Sequence, residues 1–144
     1  MASVQELKRS FADLKYSIAR EKILNEVFDQ LYEEGYDFAS ETITLFHSEA
    51  EKSLTELTAR LDQEIVNFHM LEVVINRLKG SGLIIGAARL ADACLTMATY
   101  CDASNKQGCV VSLNHVKEEY QLLMSKIESI RKLENEIIAA GGSI

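Results

Sequence analysis

The chain has 144 residues, is 47% hydrophobic, and carries 22 acidic against 15 basic side chains, for a formal net charge of −7. That length buries one proper core and is short for two, so a single domain over residues 1–144 is expected. Affinity for phosphate backbones comes from clustered Lys and Arg, so the charge argues against nucleic acid and suits a protein partner with a basic or mixed face.

The chain opens MASVQELKRS, which lacks the apolar core of a signal peptide. No run approaches the roughly 20 apolar residues of a membrane span. A soluble protein of the cytoplasm or nucleus is expected, with no membrane partner. There is no proline, and glycine is sparse before the last few residues, which favours an all-helical chain.

Leu7, Phe11, Leu14 and Ile18 recur at the spacing of an amphipathic helix. Ile23, Leu24, Val27, Phe28 and Leu31 predict a second, shorter helix that EEGYD stops, with Gly35 as breaker and Asp37 as candidate N-cap. Phe46, Ala50, Leu54, Leu57 and Leu61 mark a long third helix ending near 62–64. The fourth is predicted over 66–81, and GLIIGA reads as the turn into a fifth that carries Ala87, Leu90, Cys94, Ala98 and Cys101.

DASNKQG reads as a loop before the last helix. There Leu113, Val116, Tyr120, Leu123, Ile127, Ile130 and Ile137 alternate threes and fours like the seam of a bundle. The tail, about 140–144, is expected to fray. Period-two alternation is absent, so the expected fold is all-α: an antiparallel four-helix bundle with two additional N-terminal helices packed across one end or side. Cys94, Cys101 and Cys109 form no CxxC pair and have no His at ligand spacing, so they read as reduced thiols, with neither metal nor cofactor expected.

The segment 75–87, INRLKGSGLIIGA, holds a Lys-Gly-Ser and three glycines. A phosphate-binding P-loop needs glycines after a strand and a Gly-Lys-Ser/Thr end, and the order here is Lys-Gly-Ser-Gly inside a helical pattern, so that reading fails. On a wheel of about 100° per residue, Leu71, Val74, Ile75 and Leu78 form one apolar side, and Asn76 points away from it into solvent. Val73, Lys79, Gly80 and Leu83 share the outer face, with Glu72 and His69 further toward the N-terminus. A glycine inside a helix costs roughly 0.5–1 kcal/mol relative to Ala. Gly80 therefore marks either close approach of a partner or the fraying end of a helix.

INRLKGSGLIIGAARLADAC resembles the signature of plant histidine-containing phosphotransfer (HPt) proteins, a His-Gln-Leu-Lys-Gly-Ser-Ser core followed by Gly-Ala and Arg. ETITLFHSEAEKSLTEL, YCDASNKQGCVVSLNHVKEEYQLL and KLENEIIAAGG extend the likeness over nearly the whole chain. The resemblance implies a monomeric shuttle whose His takes a phosphoryl group from the receiver domain of a hybrid histidine kinase. It passes the group to the receiver of a response regulator, mainly in cytokinin signalling.

Where that family has its phospho-accepting His, this chain has Asn76. A carboxamide nitrogen has its lone pair delocalised into the carbonyl and is neither a useful nucleophile nor a base. The resemblance is thus to the pseudo-HPt subgroup. It implies no catalytic residue and a receiver-docking face of Asn76, Lys79, Gly80, Val73, Leu83, Glu72, His69, Arg77 and Gly82. Gly82 stands where the family has Ser, and with Arg77 it is the first suspect for further change at the site. The alternatives are a phosphocarrier using His69, or His47, which is placed near the docking rim, and a helical adaptor with unrelated partners. His115 is expected to be merely solvated.

Overall fold

The structure is a computed structural model and describes residues 2–144. Six α-helices follow one another: α1 Val4–Arg20, α2 Glu26–Leu31, α3 Tyr36–Leu61, α4 Phe68–Ile85, α5 Ala88–Asp102 and α6 Lys106–Ala139, with a 3₁₀ turn at Tyr32–Glu34. There is no strand among the described residues, as the missing period-two pattern led one to expect.

Four of the six helices start at a side-chain cap. Ser3 caps α1 by accepting from Glu6 N–H at 3.1 Å. Asn25, Asn67 and Asn105 do the same for α2, α4 and α6, their side-chain oxygens accepting backbone N–H groups at 3.0, 3.1 and 2.9 Å. Asp37 does not cap α3 as expected. It lies inside the first turn, and Gly35, with φ 114°, makes the boundary. Ile23 and Leu24 are core residues, each 3% exposed, but they sit in the α1–α2 connection rather than in a helix.

Three other expectations about ends are corrected. GLIIGA is not a turn: α4 continues to Ile85, and only Gly86, left-handed at φ 82°, turns the chain. The DASNKQG loop is shorter than expected, since Lys106, Gln107 and Gly108 already belong to α6. The tail is not simply frayed either. Gly141 is left-handed at φ 91°, and Gly142 N–H donates to Ile137 O at 2.9 Å, closing α6 with the hydrogen bonds of a Schellman motif.

Helices α3 to α6 form an antiparallel bundle in which α4–α5, α5–α6 and α3–α4 pack most closely; α1 lies along α6, and α2 sits beneath the end of α4. The α4 seam read from the sequence is in the core: Leu71, Val74, Ile75 and Leu78 are all 0% exposed, joined by Ile85, and they belong to one cluster with Leu90, Cys94, Met97, Leu123, Ile127 and Ile130. Asn25 N–H donates to Gly86 O at 2.9 Å, and a Cβ on Gly86 would meet Phe28 N at 2.9 Å. Only glycine permits both the left-handed turn and this close approach of α2. Arg89 ties three further elements, pairing with Glu119 of α6 at 2.7 Å and donating to Glu21 O past the end of α1 at 3.3 Å.

One buried group works against the fold. Glu134 is 1% exposed, and its Oε2 has no hydrogen-bond partner. Burial pushes its carboxyl above the ordinary value near 4.5, against the opposing pull of Tyr32, Arg131 and Lys15. A carboxyl whose folded pKa is raised favours the folded state at low pH, and that contribution is lost as pH rises through the raised value. Urea midpoints of the wild type should therefore fall from pH 4.5 toward neutrality more steeply than those of Glu134→Gln, which stays neutral throughout. Parallel pH profiles for the two proteins would contradict this account of Glu134.

Candidate functional site: the outer face of helix α4

The α4 seam fixes the rotation of the helix, and with it what the helix presents outward. Asn76 and Arg77 are exposed, as are Val73 at 40%, Leu83 at 51% and Ile84 at 62%; Glu72, Lys79 and Gly80 are partly exposed. Their spacing sorts them into three stripes. Val73, Asn76, Gly80 and Leu83 run down the middle, Arg77 and Ile84 lie toward α3, and Glu72 and Lys79 lie toward α5.

Contacts with the neighbouring helices fix those sides. Arg77 Nη1 approaches Glu56 Oε1 of α3 at 3.5 Å, while the other oxygen of Glu56 is held by Arg60 at 2.8 Å. The two guanidinium groups, Arg60 first, keep the Glu56 carboxyl below its ordinary value. On the other side Lys79 lies near Cys94 of α5. Burial pushes that thiol up to about 12, and the Lys79 cation draws it partly back.

Gly80 is five residues inside the helix end at Ile85, so it is not the fraying terminus of a helix. A Cβ built on it would meet nothing within 4 Å, so nothing in the packing of the chain asks for glycine there. Gly82 is different and does not belong to the face. It is buried, and its Cβ would touch Leu90 and Ala87 of the α5 side at 3.6 and 3.7 Å. Its small size lets α4 and α5 converge toward the Gly86 turn.

The histidines separate clearly. His69 is exposed in the first turn of α4, two turns before Asn76 and roughly 10 Å from it along the axis. His47 does not border the face. It lies nine residues before Glu56, about half a turn round α3, and its Nδ1 is 2.8 Å from the Tyr120 hydroxyl of α6, with the two rings stacked. His115 is exposed on α6, with Nδ1 4.0 Å from Glu118. The cysteines are free and buried, with Cys101 pushed up to about 11 by burial. Among the described residues no group of three or more His, Cys, Asp or Glu is gathered to hold a metal, and no helix is long and apolar enough to cross a membrane.

Some exposed apolar residues were not singled out from the sequence. Leu45 of α3 is 62% exposed and Phe38 is 47% exposed, and both share a helical stripe with Lys52 and Glu56. Leu95 of α5 is 54% exposed one residue from Cys94. The signal was present: each is a large apolar side chain out of register with its helix's buried seam.

The Hpt domain profile matches residues 41–126. Histidine-containing phosphotransfer protein 1 of Arabidopsis thaliana is 36% identical over 141 residues, covering 95% of this chain and 92% of that protein. This chain belongs to the Hpt family. The crystal structure of a histidine-containing phosphotransfer protein from Medicago truncatula superposes with a TM-score of 0.90 at 33% identity, over 95% of this chain and 96% of that one. The similar proteins also include pseudo histidine-containing phosphotransfer protein 2 of Oryza sativa subsp. japonica, 30% identical over 135 residues, 91% of this chain and 89% of that protein. Overall likeness to the Hpt family therefore covers both kinds of relative.

Replacing Gly80 by Ala should stabilise the fold by about 0.5–1 kcal/mol, because the helix gains propensity and no contact is disturbed. Urea denaturation measures this. A loss of stability would mean that the glycine serves the packing of the chain after all.

Proposed function

We propose that this protein is a pseudo-phosphotransfer protein of a plant phosphorelay. It docks receiver domains of hybrid histidine kinases and response regulators through the outer face of α4 and accepts no phosphoryl group. By occupying receivers it competes with active shuttles and damps the relay, which by resemblance is that of cytokinin signalling. It acts as a binding protein rather than an enzyme, in the cytoplasm and nucleus.

The observation that carries the reading is Asn76. It is exposed at the centre of the α4 face, one turn before a glycine that the chain's own packing does not require. An imidazole there would be largely unprotonated near pH 7 and could attack phosphorus; the carboxamide cannot. What docking needs remains in place: Lys79 supplies a cation for the acidic pocket of a receiver, Gly80 leaves room, and Val73 and Leu83 supply apolar contact. The area expected is at the small end, on the order of 1,000 Å² in total.

His47 is the weaker rival acceptor, because its Nδ1 already faces the Tyr120 hydroxyl away from the α4 face. His69 has Glu72 where Asn76 has Lys79, three residues on. Incubation with a receiver carrying labelled phosphoryl-aspartate should leave the wild type unlabelled, while Asn76→His should acquire an acid-labile label. Label on the wild-type chain would contradict the proposal. A folded Asn76→His that stays unlabelled would mean that Arg77 or Gly82 has altered the site as well.

A further inference from the structure

Resting on the docking role just proposed, the structure points to which receiver state is bound. We infer that the α4 face is built for a receiver whose aspartate carries a phosphoryl group, so that this protein acts at the step where a receiver donates. It does not act chiefly where a receiver accepts.

Three polar groups bracket the middle of the face: Asn76 on the central stripe, Arg77 on its α3 flank and Lys79 on its α5 flank. They lie within four successive residues, about 4.5 Å of helix axis, and the two long cationic side chains can reach inward from either flank toward a group held over Asn76. The amide NH₂ of Asn76, the guanidinium and the ammonium together offer many N–H donors and two positive charges, and the only acceptor among them is the Asn76 carbonyl oxygen. None of the three is consumed by the fold. Among the described residues Asn76 and Lys79 have no side-chain hydrogen bond or ion pair. Arg77 has only the long 3.5 Å approach to Glu56, whose other oxygen is satisfied by Arg60 at 2.8 Å, and the Arg77 side chain is 48% exposed. Arg77 can leave Glu56 at little cost, since exposed pairs are worth about 0–1 kcal/mol. The nearest carboxylate on the same helix, Glu72, lies a full turn before Asn76, on the stripe toward α5.

Such a cluster is complementary to an anion in excess of a receiver's own carboxylates. The acyl phosphate formed on a receiver aspartate carries close to two negative charges, about one more than the carboxylate it replaces, and projects three phosphoryl oxygens outward, which suit bidentate Arg and point-charge Lys contacts. The neutral carboxamide of Asn76 stands in shape and charge for the empty imidazole of a shuttle about to be loaded. It cannot stand for a phosphohistidine, which carries the negative group itself. The complex formed is therefore the counterpart of phosphorylated receiver with unloaded shuttle, with no bond made or broken.

The test is a calorimetric titration of the full-length protein against the receiver domain of a plant hybrid histidine kinase with Mg²⁺, with and without beryllofluoride as the mimic of phosphoryl-aspartate. The wild type should bind the beryllofluoride form about tenfold more tightly. That difference should shrink in Arg77→Gln and Lys79→Gln and vanish in the double variant, whose fold is checked by helical content and urea midpoint. Equal or weaker binding to the beryllofluoride form would overturn the inference while leaving the docking role intact. So would a preference that survives in the double variant, because the receiver's own rearrangement would then account for it. No binding to either form would contradict the docking role, and the inference with it.

Discussion

The rest of the structure depends on the rotational setting of α4. Five apolar side chains, Leu71, Val74, Ile75, Leu78 and Ile85, are withdrawn completely from water. Fully burying each is worth about 1.5–3 kcal/mol. A turn of the helix about its axis would expose them together, so the core holds the opposite face outward. Asn76 is exposed because Ile75 on one side and Leu78 two residues on are not.

The position of α4 along its axis is set at its C-terminal end. Gly86 reverses the chain in a left-handed turn, accepts from Asn25 N–H, and leaves no room for a side chain against Phe28. Gly82, a turn earlier, lets Leu90 and Ala87 come close. The two glycines are structural, whereas Gly80 between α4's buried seam and solvent is not. The same residue type thus has two physical meanings within seven positions. They are told apart by what a Cβ would touch.

Much of this was legible in the sequence, because an apolar seam and an outward face are both consequences of a period of 3.6. The seams of α3, α4 and α6, and the direction of Asn76, follow from it directly. Helix ends were less legible. Gly82 suggested a break, yet a helix tolerates a glycine that packs against a neighbour, so α4 ran on to Gly86. His47 was misplaced because a wheel gives a direction only relative to one's own helix. Whether that direction meets α4 or α6 depends on tertiary packing. Leu45 and Leu95 were not singled out, because a large apolar residue out of register with a buried seam is common on a helix surface. The feature on which the proposed function turns, Asn76 where the resemblance puts a phospho-accepting His, was legible at once, since it depends on one functional group and not on packing.

The proposed role requires an α4 face that binds a receiver and does not react. Its most direct test is a reconstituted relay in which a phosphorylated receiver loads an active plant shuttle while this protein is titrated in. Loading should slow in proportion to the occupied receiver, and added shuttle should relieve the inhibition, with no label at any time on this chain. An unchanged loading rate at a large excess of the protein, or acid-labile phosphate appearing on it, would contradict the account.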